Sequence, residues 1–287
     1  MELNAVSEAG GLQGAAYDGR AGDSRVGLSE WSTERSAMAR DGTRSDGSSE
    51  ESYDRLVARL IPGYAGLARL SVALLAASPL ACAPGAAVLV AGCGTGTELL
   101  EAQRQRPDWQ LTGLDPSAAM LSMAQTRLVG STGIRWLQST VEALDEEASF
   151  DGALAVLVLQ SLPDDGSKLA FLTALARSLR PGGQAVLVDL MQPERSPLQE
   201  QLRRARLGFQ QASGLPERDS DAIATPNAAE PSQGAASVSE LTVALTTGLH
   251  PIGLSRLTAL VNAAGFGDPA PVFQALDVEG FLLQRRA

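Results

Sequence analysis

Short apolar runs separated by longer amphipathic segments constrain the fold of this chain more than any other feature. Runs of this kind are typical of a parallel sheet, whose strands are buried on both faces and joined by crossover helices. The predicted strands are residues 88–91, 111–114, 134–138, 153–159, 184–189, 271–276 and 280–284. Only a turn separates the last two, so they must pair antiparallel. The pattern predicts an α/β fold with a mostly parallel sheet and an antiparallel last strand.

The composition changes near residue 50 and again after the fifth predicted strand. Residues 1–50 are rich in Gly, Ser, Asp, Glu and Arg without a sustained hydrophobic period, which predicts a disordered acidic and polar tail. Residues 51–287 are predicted to form one domain, in which residues 51–80 are a helical cap. Residues 191–250 include a stretch rich in Pro, Gly, Ala and Ser and are predicted to form a lid or substrate insertion.

Charge argues against nucleic acid as a partner. The 33 acidic side chains outnumber the 23 Lys and Arg, so the formal net charge is −10. Clustered Lys and Arg supply most of the affinity of nucleic-acid-binding proteins, and a surface of this balance repels a polyanion on average. Of the 23 basic residues only Lys168 is a lysine, which we interpret as a compositional bias towards arginine.

The scarcity of ligating side chains argues against a metal centre. His250 is the single histidine, and Cys82 and Cys93 are the only cysteines. A disulfide framework, a site with several imidazoles or a zinc site with several thiolates cannot be built from this set. We therefore expect no metal.

The sequence predicts neither a secretory signal nor a membrane span. The first residues include Glu2 and Glu8 and lack a basic start followed by an apolar run. The uncharged stretch between Arg69 and Glu98 is long enough to suggest a span, but Pro79 interrupts it. The stretch is better interpreted as a helix end, a turn and a buried strand, and we expect a cytoplasmic protein.

A glycine-rich loop, Gly92 to Gly96, follows the first predicted strand and leads into a helix. Such a loop lets a ligand approach the main chain and presents amides at a helix N-terminus. Asp115 ends the second strand, where a carboxylate can accept hydrogen bonds from both hydroxyls of a ribose. Asp115 or Ser117 is alternatively the N-cap of the following helix. If a nucleoside binds here, Pro116 and Met120 border its adenine.

Four motifs in order resemble those of class I S-adenosylmethionine (SAM)-dependent methyltransferases. They are the run Val88–Gly96, the acidic residue Asp115, the pair Phe150-Asp151 at the start of strand four, and the sequence Arg180-Pro181-Gly182-Gly183 in the turn before strand five. The resemblance covers residues 53–286. It implies a Rossmann-like three-layer sandwich with a seven-stranded sheet, and SAM as the cofactor.

The resemblance also implies roles for individual residues. Gly92, Cys93 and Gly94 would contact the methionine part of SAM, and Asp115 its ribose. Thr140 stands where relatives usually have an Asp that accepts the adenine amine, and a hydroxyl can still accept that bond. The implied cofactor-binding set is Tyr64, Gly92, Cys93, Gly94, Thr95, Gly96, Asp115, Pro116, Met120, Thr140, Val141, Val156 and Leu157.

A closer similarity is to the branch that contains carboxy-SAM synthase. It rests on Tyr53-Asp54-Arg55, on Leu60-Ile61-Pro62-Gly63-Tyr64 and on Leu159-Gln160-Ser161-Leu162. By this resemblance Tyr64 touches the cofactor, although packing of the helix turn against the sheet is the alternative. The aligned stretch Leu241–Ala244 lacks the arginine that would hold the extra carboxylate, which argues against carboxy-SAM activity.

Methyl transfer from a sulfonium can succeed through alignment of the reactants without a dedicated base. The sequence therefore does not identify the catalytic residues. The candidates are His250 as a general base, Gln160 as a substrate-facing group, and Tyr64. Surface or capping roles for His250 and ordinary loop hydrogen bonding for Gln160 are the alternatives. The sequence predicts a methyltransferase with a small-molecule acceptor, and a homodimer is left open. Non-methylating SAM chemistry, a tRNA-modification-related enzyme and a SAM-binding module without catalysis are the alternative functions.

Overall fold

The computed structural model describes residues 48–193, 199–215 and 248–287. Within these ranges seven strands form one sheet in the order β3-β2-β1-β4-β5-β7-β6. The strands are β1 (Ala87–Ala91), β2 (Gln110–Leu114), β3 (Ile134–Leu137), β4 (Phe150–Val156), β5 (Leu179–Leu190), β6 (Ala270–Ala275) and β7 (Val278–Gln284). The first five strands pair in parallel, whereas β7 pairs antiparallel with both β5 and β6. The predicted fold class is confirmed.

Helices connect the parallel strands, as the amphipathic segments predict, except between β3 and β4, where there is only a 3₁₀ turn. The helices are α1 (Ser48–Leu60), α2 (Tyr64–Ala76), α3 (Thr97–Gln105), α4 (Ala118–Arg127), α5 (Ser167–Ser178), α6 (Gln199–Ala212) and α7 (Leu254–Ala263), with two short 3₁₀ turns at Val141–Ala143 and Leu159–Ser161. Helices α1 and α2 lie in the segment predicted as a helical cap.

Both faces of the sheet are buried, because successive side chains of a strand point to opposite faces. On β1, Leu89 and Ala91 join one apolar cluster with side chains of α5 and α7. Val88 and Val90 join the other cluster, with side chains of α2, α3 and α4. This arrangement produces the three layers and accounts for the continuous apolar runs in the sequence.

Three predicted boundaries are wrong. Strand β4 covers Phe150–Val156 instead of residues 153–159, because the chain leaves the sheet at Leu157, whose φ is 57°. Residues 180–183, predicted as a turn, lie inside β5. The pairing register of β5 with β4 shifts there, between Phe150 and Gly152 of β4. Helix α1 begins at Ser48, so residues 48–50, assigned to the tail, are helical.

The rest of the predicted tail and much of the predicted lid lie outside the described residues. Of the segment 191–250, the structure describes α6 and the residues on either side of the gaps. Within the described ranges, no single helix has the length and apolarity needed to cross a bilayer. Helices α1 and α2 meet those criteria only as a pair (Tyr53–Leu60 with Tyr64–Ala76), and that pair is bent by 91°.

Candidate functional site

The predicted cofactor residues gather at one edge of the sheet. Strands β3, β2, β1 and β4 are neighbours and run parallel, so their carboxyl ends lie side by side. The glycine loop follows β1, Asp115 follows β2, Thr140 follows β3 and Leu157 follows β4. From β1 the chain adds β2 and β3 on one side of the sheet, and then crosses to add β4 and β5 on the other side. Ligands of open α/β sheets bind in the crevice between the two strands where the order switches, here β1 and β4.

The glycine loop is held against the end of β2. Gly92 N and Cys93 N both donate to the Leu114 carbonyl, at 2.7 and 2.9 Å. Gly92 has a φ of 69°, and a Cβ built there would lie 2.6 Å from Val158 Cγ2. A side chain at position 92 is therefore excluded by both strain and space. The main chain of the loop lies close to the segment that follows β4.

Asp115 is fully buried and bonded to the glycine loop. Its Oδ2 accepts a hydrogen bond from Gly94 N at 2.9 Å, and its Oδ1 accepts one from Ser117 N at 2.9 Å. Ser117 is the N-cap of α4, since its Oγ accepts from Met120 N at 3.3 Å. The capping alternative therefore belongs to Ser117. A carboxylate at the end of this strand can accept hydrogen bonds from ribose hydroxyls.

The other predicted cofactor residues differ in exposure. Val141 and Met120 are buried, and Met120 has no exposed surface, which disfavours direct contact of its side chain with an adenine. Thr140 precedes the first 3₁₀ turn, is half-buried and makes no capping hydrogen bond with its side chain. Val156 and Leu157 are half-buried, with Leu157 N bonded to the carbonyl of Val188 at 2.7 Å.

A polar network joins α1 and α2 to the glycine loop. Asp54 Oδ1 accepts from Thr95 Oγ1 at 2.9 Å, and Asp54 Oδ2 lies 2.6 Å from Arg127 Nη1. Arg127 also donates to Thr97 Oγ1 at 3.0 Å. Tyr64 Oη donates to Asp54 Oδ1 at 3.5 Å. The sequence singled out Tyr64 but did not predict that Asp54 and Arg127 would meet at the loop.

Burial raises the pKa of the Tyr64 phenol well above its ordinary value, and the nearby carboxylates Asp54 and Glu98 raise it further. The phenol is therefore neutral at physiological pH. A neutral phenol donates a hydrogen bond but is a poor base at that pH. The position of Tyr64 beside Asp54 and Thr97 favours a role at the glycine loop over a role in proton removal.

Gln160 and His250 are brought together by a main-chain hydrogen bond. His250 N donates to the Gln160 carbonyl at 2.6 Å, and the His250 side chain is exposed. Gln160 is buried, and its Oε1 accepts from Leu190 N at 3.0 Å. These two candidates therefore lie together beside the ends of β4 and β5, whereas the Tyr64 side chain lies at the glycine loop.

Two buried ionisable side chains beneath this region were not predicted from the sequence. Lys168, interpreted there only as a compositional oddity, has no exposed surface and donates through Nζ to the carbonyl of Leu159. Asp189, at the end of β5, is 1% exposed. The sequence contained one signal for this site. Asp189 directly follows the apolar run of residues 185–188, and a carboxylate is rarely buried unless it is paired or hydrogen-bonded.

The described ranges contain no group of three or more His, Cys, Asp or Glu side chains that could hold a metal ion. The cofactor predicted from the motifs, in contrast, fits the residues present. The main chain of the glycine loop lies at the carboxyl edge of the sheet, held against the end of β2. Beside it lies the buried carboxylate of Asp115, a group that can accept hydrogen bonds from ribose hydroxyls at this position.

Sequence comparison relates the same segment to methyltransferases. Residues 88–183 match the family described as "Methyltransferase domain". Over 115 residues the chain is 36% identical to a ubiquinone biosynthesis O-methyltransferase from Bradyrhizobium sp. (strain ORS 278), which covers 40% of this chain. The match spans only 44% of that relative. The segment that carries the site, from β1 to the middle of β5, is thus similar to methyltransferase domains.

Solved structures show the same fold over most of the chain. A possible exported protein from Bordetella parapertussis aligns with a TM-score of 0.59 at 18% identity, covering 95% of this chain and all of that one. Human N-acetylserotonin methyltransferase in complex with SAM aligns with a TM-score of 0.51 at 16% identity, covering 77% of this chain and 52% of that one. Both likenesses show a shared Rossmann-like fold.

Proposed function

We propose that this protein is a SAM-dependent methyltransferase that acts on a small molecule. The observation that carries the proposal is the bond between Asp115 Oδ2 and Gly94 N, which joins a buried carboxylate to the glycine loop. This pair lies at the point where the sheet order reverses and inside the segment similar to methyltransferase domains. A nucleoside-containing cofactor suits a carboxylate beside a glycine-rich loop at this edge of the sheet.

In the proposed complex, Asp115 binds the ribose hydroxyls and the main chain of Gly92, Cys93 and Gly94 contacts the methionine part. Bound SAM supplies an electrophilic methyl group. The protein contributes binding, orientation and exclusion of water, which suffice for a transfer that needs no strong base. Tyr64 remains neutral and donates a hydrogen bond near Thr95 and Gly96.

The adenine side of the proposed site is lined by residues that follow β2 and β3. Pro116 borders one part of the ring, whereas the buried Met120 supports the site without direct contact. Thr140 accepts the adenine amine and Val141 donates its main-chain amide. Val156 and Leu157 line the cofactor from the end of β4. This assignment follows the position of each residue at the carboxyl edge of the sheet.

The acceptor binds beside Gln160 and His250 in this proposal, with the segment 191–250 as the covering element. The names of the curated relatives and the net charge of −10 favour a small molecule over a nucleic acid. The finer likeness to the carboxy-SAM synthase branch stays a prediction, carried by Tyr53–Arg55 and Tyr64. A cytoplasmic location and a homodimer also stay predictions, which cell fractionation and sedimentation would test.

The first experiment incubates the full chain with SAM alone and follows the products by mass spectrometry, beside a calorimetric titration with S-adenosylhomocysteine. Binding with SAM left intact supports a methyltransferase awaiting its acceptor, which screening of small-molecule extracts would then identify. Rapid release of methylthioadenosine would favour intramolecular SAM chemistry. Binding with no methylation of any extract or of tRNA would favour a module without catalysis, and absence of binding would refute the proposal.

A further inference from the structure

The buried pair of Lys168 and Asp189 lies directly beneath the turn that follows β4. Taking two charges out of water is costly, and their attraction offsets that cost only when both are well hydrogen-bonded. Two buried, electrostatically interacting groups of this kind are therefore weak grounds for a purely stabilising role. The best-attested use of buried charged groups is to specify one conformation. The hydrogen bonds of Lys168 and Asp189 show which conformation they specify.

Together the two side chains satisfy the main chain of the turn. Asp189 Oδ2 accepts from Leu159 N at 2.7 Å, and Asp189 Oδ1 accepts from Gln160 N at 3.0 Å. Lys168 Nζ donates to the carbonyl of the same Leu159. Both main-chain polar groups of Leu159 and the amide of Gln160 thus bond to these two buried side chains.

The same turn determines what Gln160 offers to its surroundings. Leu190 N is a donor, so the side-chain atom of Gln160 that it contacts at 3.0 Å must be the oxygen. The Nε2 amide is the part of the side chain left to donate to a ligand. The Gln160 carbonyl, in turn, accepts from His250 N at 2.6 Å and anchors the chain where it returns from the segment 216–247.

We propose that Lys168 and Asp189 are positioning residues for the acceptor side of the site. They hold the turn after β4 so that Gln160 presents a donor and His250 is docked beside it. The inference rests on the proposed function, because the acceptor side is defined by a cofactor on the neighbouring glycine loop. It implies that a methyl acceptor bound here directs a hydrogen-bond-accepting oxygen towards Gln160.

The test compares amide hydrogen exchange at residues 158–162 and 248–252 of the full chain in Lys168→Met, in Asp189→Asn and in the double variant. In each variant we expect exchange in both segments to be about tenfold faster than in wild type, as local opening becomes easier. The affinity for S-adenosylhomocysteine should stay within about threefold of wild type, because the polar cofactor contacts proposed for Asp115 and the glycine loop follow β2 and β1.

The matched control is Arg180→Gln, which removes the ion pair of Arg180 with Asp151 at the opposite edge of the same sheet. It should leave exchange in both segments unchanged. The double variant separates positioning from stability. It carries no lone buried charge, so its unfolding midpoint should recover relative to Lys168→Met, while exchange in both segments stays fast.

Two results would overturn the inference. One is wild-type exchange in the single variants, and the other is exchange that recovers together with the unfolding midpoint in the double variant, which would assign the pair a merely structural role. Failure of the wild-type protein to bind S-adenosylhomocysteine would instead overturn the proposed function, and the acceptor side with it. Normal binding with unchanged exchange would overturn the role of the pair alone.

Discussion

Asp54 on α1 and Arg127 on α4 form an ion pair, 2.6 Å between Oδ2 and Nη1, across the glycine loop. Both side chains are largely buried, and each also contacts Thr95. Through this pair the N-terminal helices and the loop support each other. The cap is therefore tied to the predicted cofactor site by charge as well as by apolar packing.

Asp54→Asn should weaken cofactor binding. The substitution leaves Arg127 without its carboxylate, which costs about 1 to 3 kcal/mol for a largely buried charged partner. We expect the affinity for S-adenosylhomocysteine, measured by calorimetry, to fall about tenfold as the loop loses its support. Arg69→Gln is the control, because it removes only the exposed contact of Arg69 with Glu101 at 3.7 Å. Equal affinities in the two variants would contradict a role for α1 at the loop.

Gly92→Ala should abolish cofactor binding and destabilise the fold. An alanine there combines a φ of 69° with a Cβ 2.6 Å from Val158. Gly130→Ala is a matched control, since Gly130 has a φ of 86° but no atom within 4 Å of the added Cβ. The control should lose about 1 kcal/mol of unfolding free energy in chemical denaturation. A Gly92→Ala protein as stable as the control would show that the loop can shift.

Asp115→Asn should lower the affinity for S-adenosylhomocysteine by about 100-fold. The amide cannot accept from both Gly94 N and Ser117 N and still offer two acceptors to a ribose. Asp151→Asn is the comparison, because Asp151 is also buried and bonded to β1, through Ala87 N at 2.8 Å, but at the opposite edge. That variant should lose stability and keep its affinity. Calorimetric titration of both variants at one pH decides the prediction.

The Lys168 and Asp189 pair should give a distinctive pH dependence of stability. Burial raises the pKa of Asp189 to about 7 and lowers that of Lys168 to about 8, against the attraction between them. Asp164, itself paired with Arg256, also faces Lys168. Between pH 4 and 7 the folded state holds a proton on Asp189 that the unfolded state releases, so its contribution to stability is lost as pH rises.

For Lys168 the dependence of stability on pH has the opposite sign. Between pH 8 and 10.5 the unfolded state holds the extra proton, so stability from this group is lost as pH falls towards 8. The pair therefore contributes least between pH 7 and 8. Relative to Lys168→Met/Asp189→Asn, the wild-type unfolding free energy should change by at most about 1.4 kcal/mol per pH unit in each flanking window. If the unfolding free energies of the two proteins, measured by urea denaturation, changed with pH in the same way, the assigned pKa shifts would be contradicted.

The sheet could be predicted from the sequence because its signals are local. The apolar run of residues 88–91 is buried on both faces in β1, and the single turn between the last two runs requires antiparallel pairing. The position of Asp115 at the edge of the sheet follows from the same patterns. The end of β4 could not be predicted, since the run continues through apolar residues while the backbone turns at Leu157.

The glycine loop, the acidic end of β2 and the strands along the chain were determined by the sequence itself, because apolar periodicity and glycine placement act on neighbouring residues. Only the tertiary structure decided that Asp54 meets Arg127 and that Lys168 and Asp189 bond to the same turn. These partners lie 73 and 21 positions apart in the chain. Whether a charge is solvated or paired depends on which elements pack against it, and that information exists only once the layers have assembled.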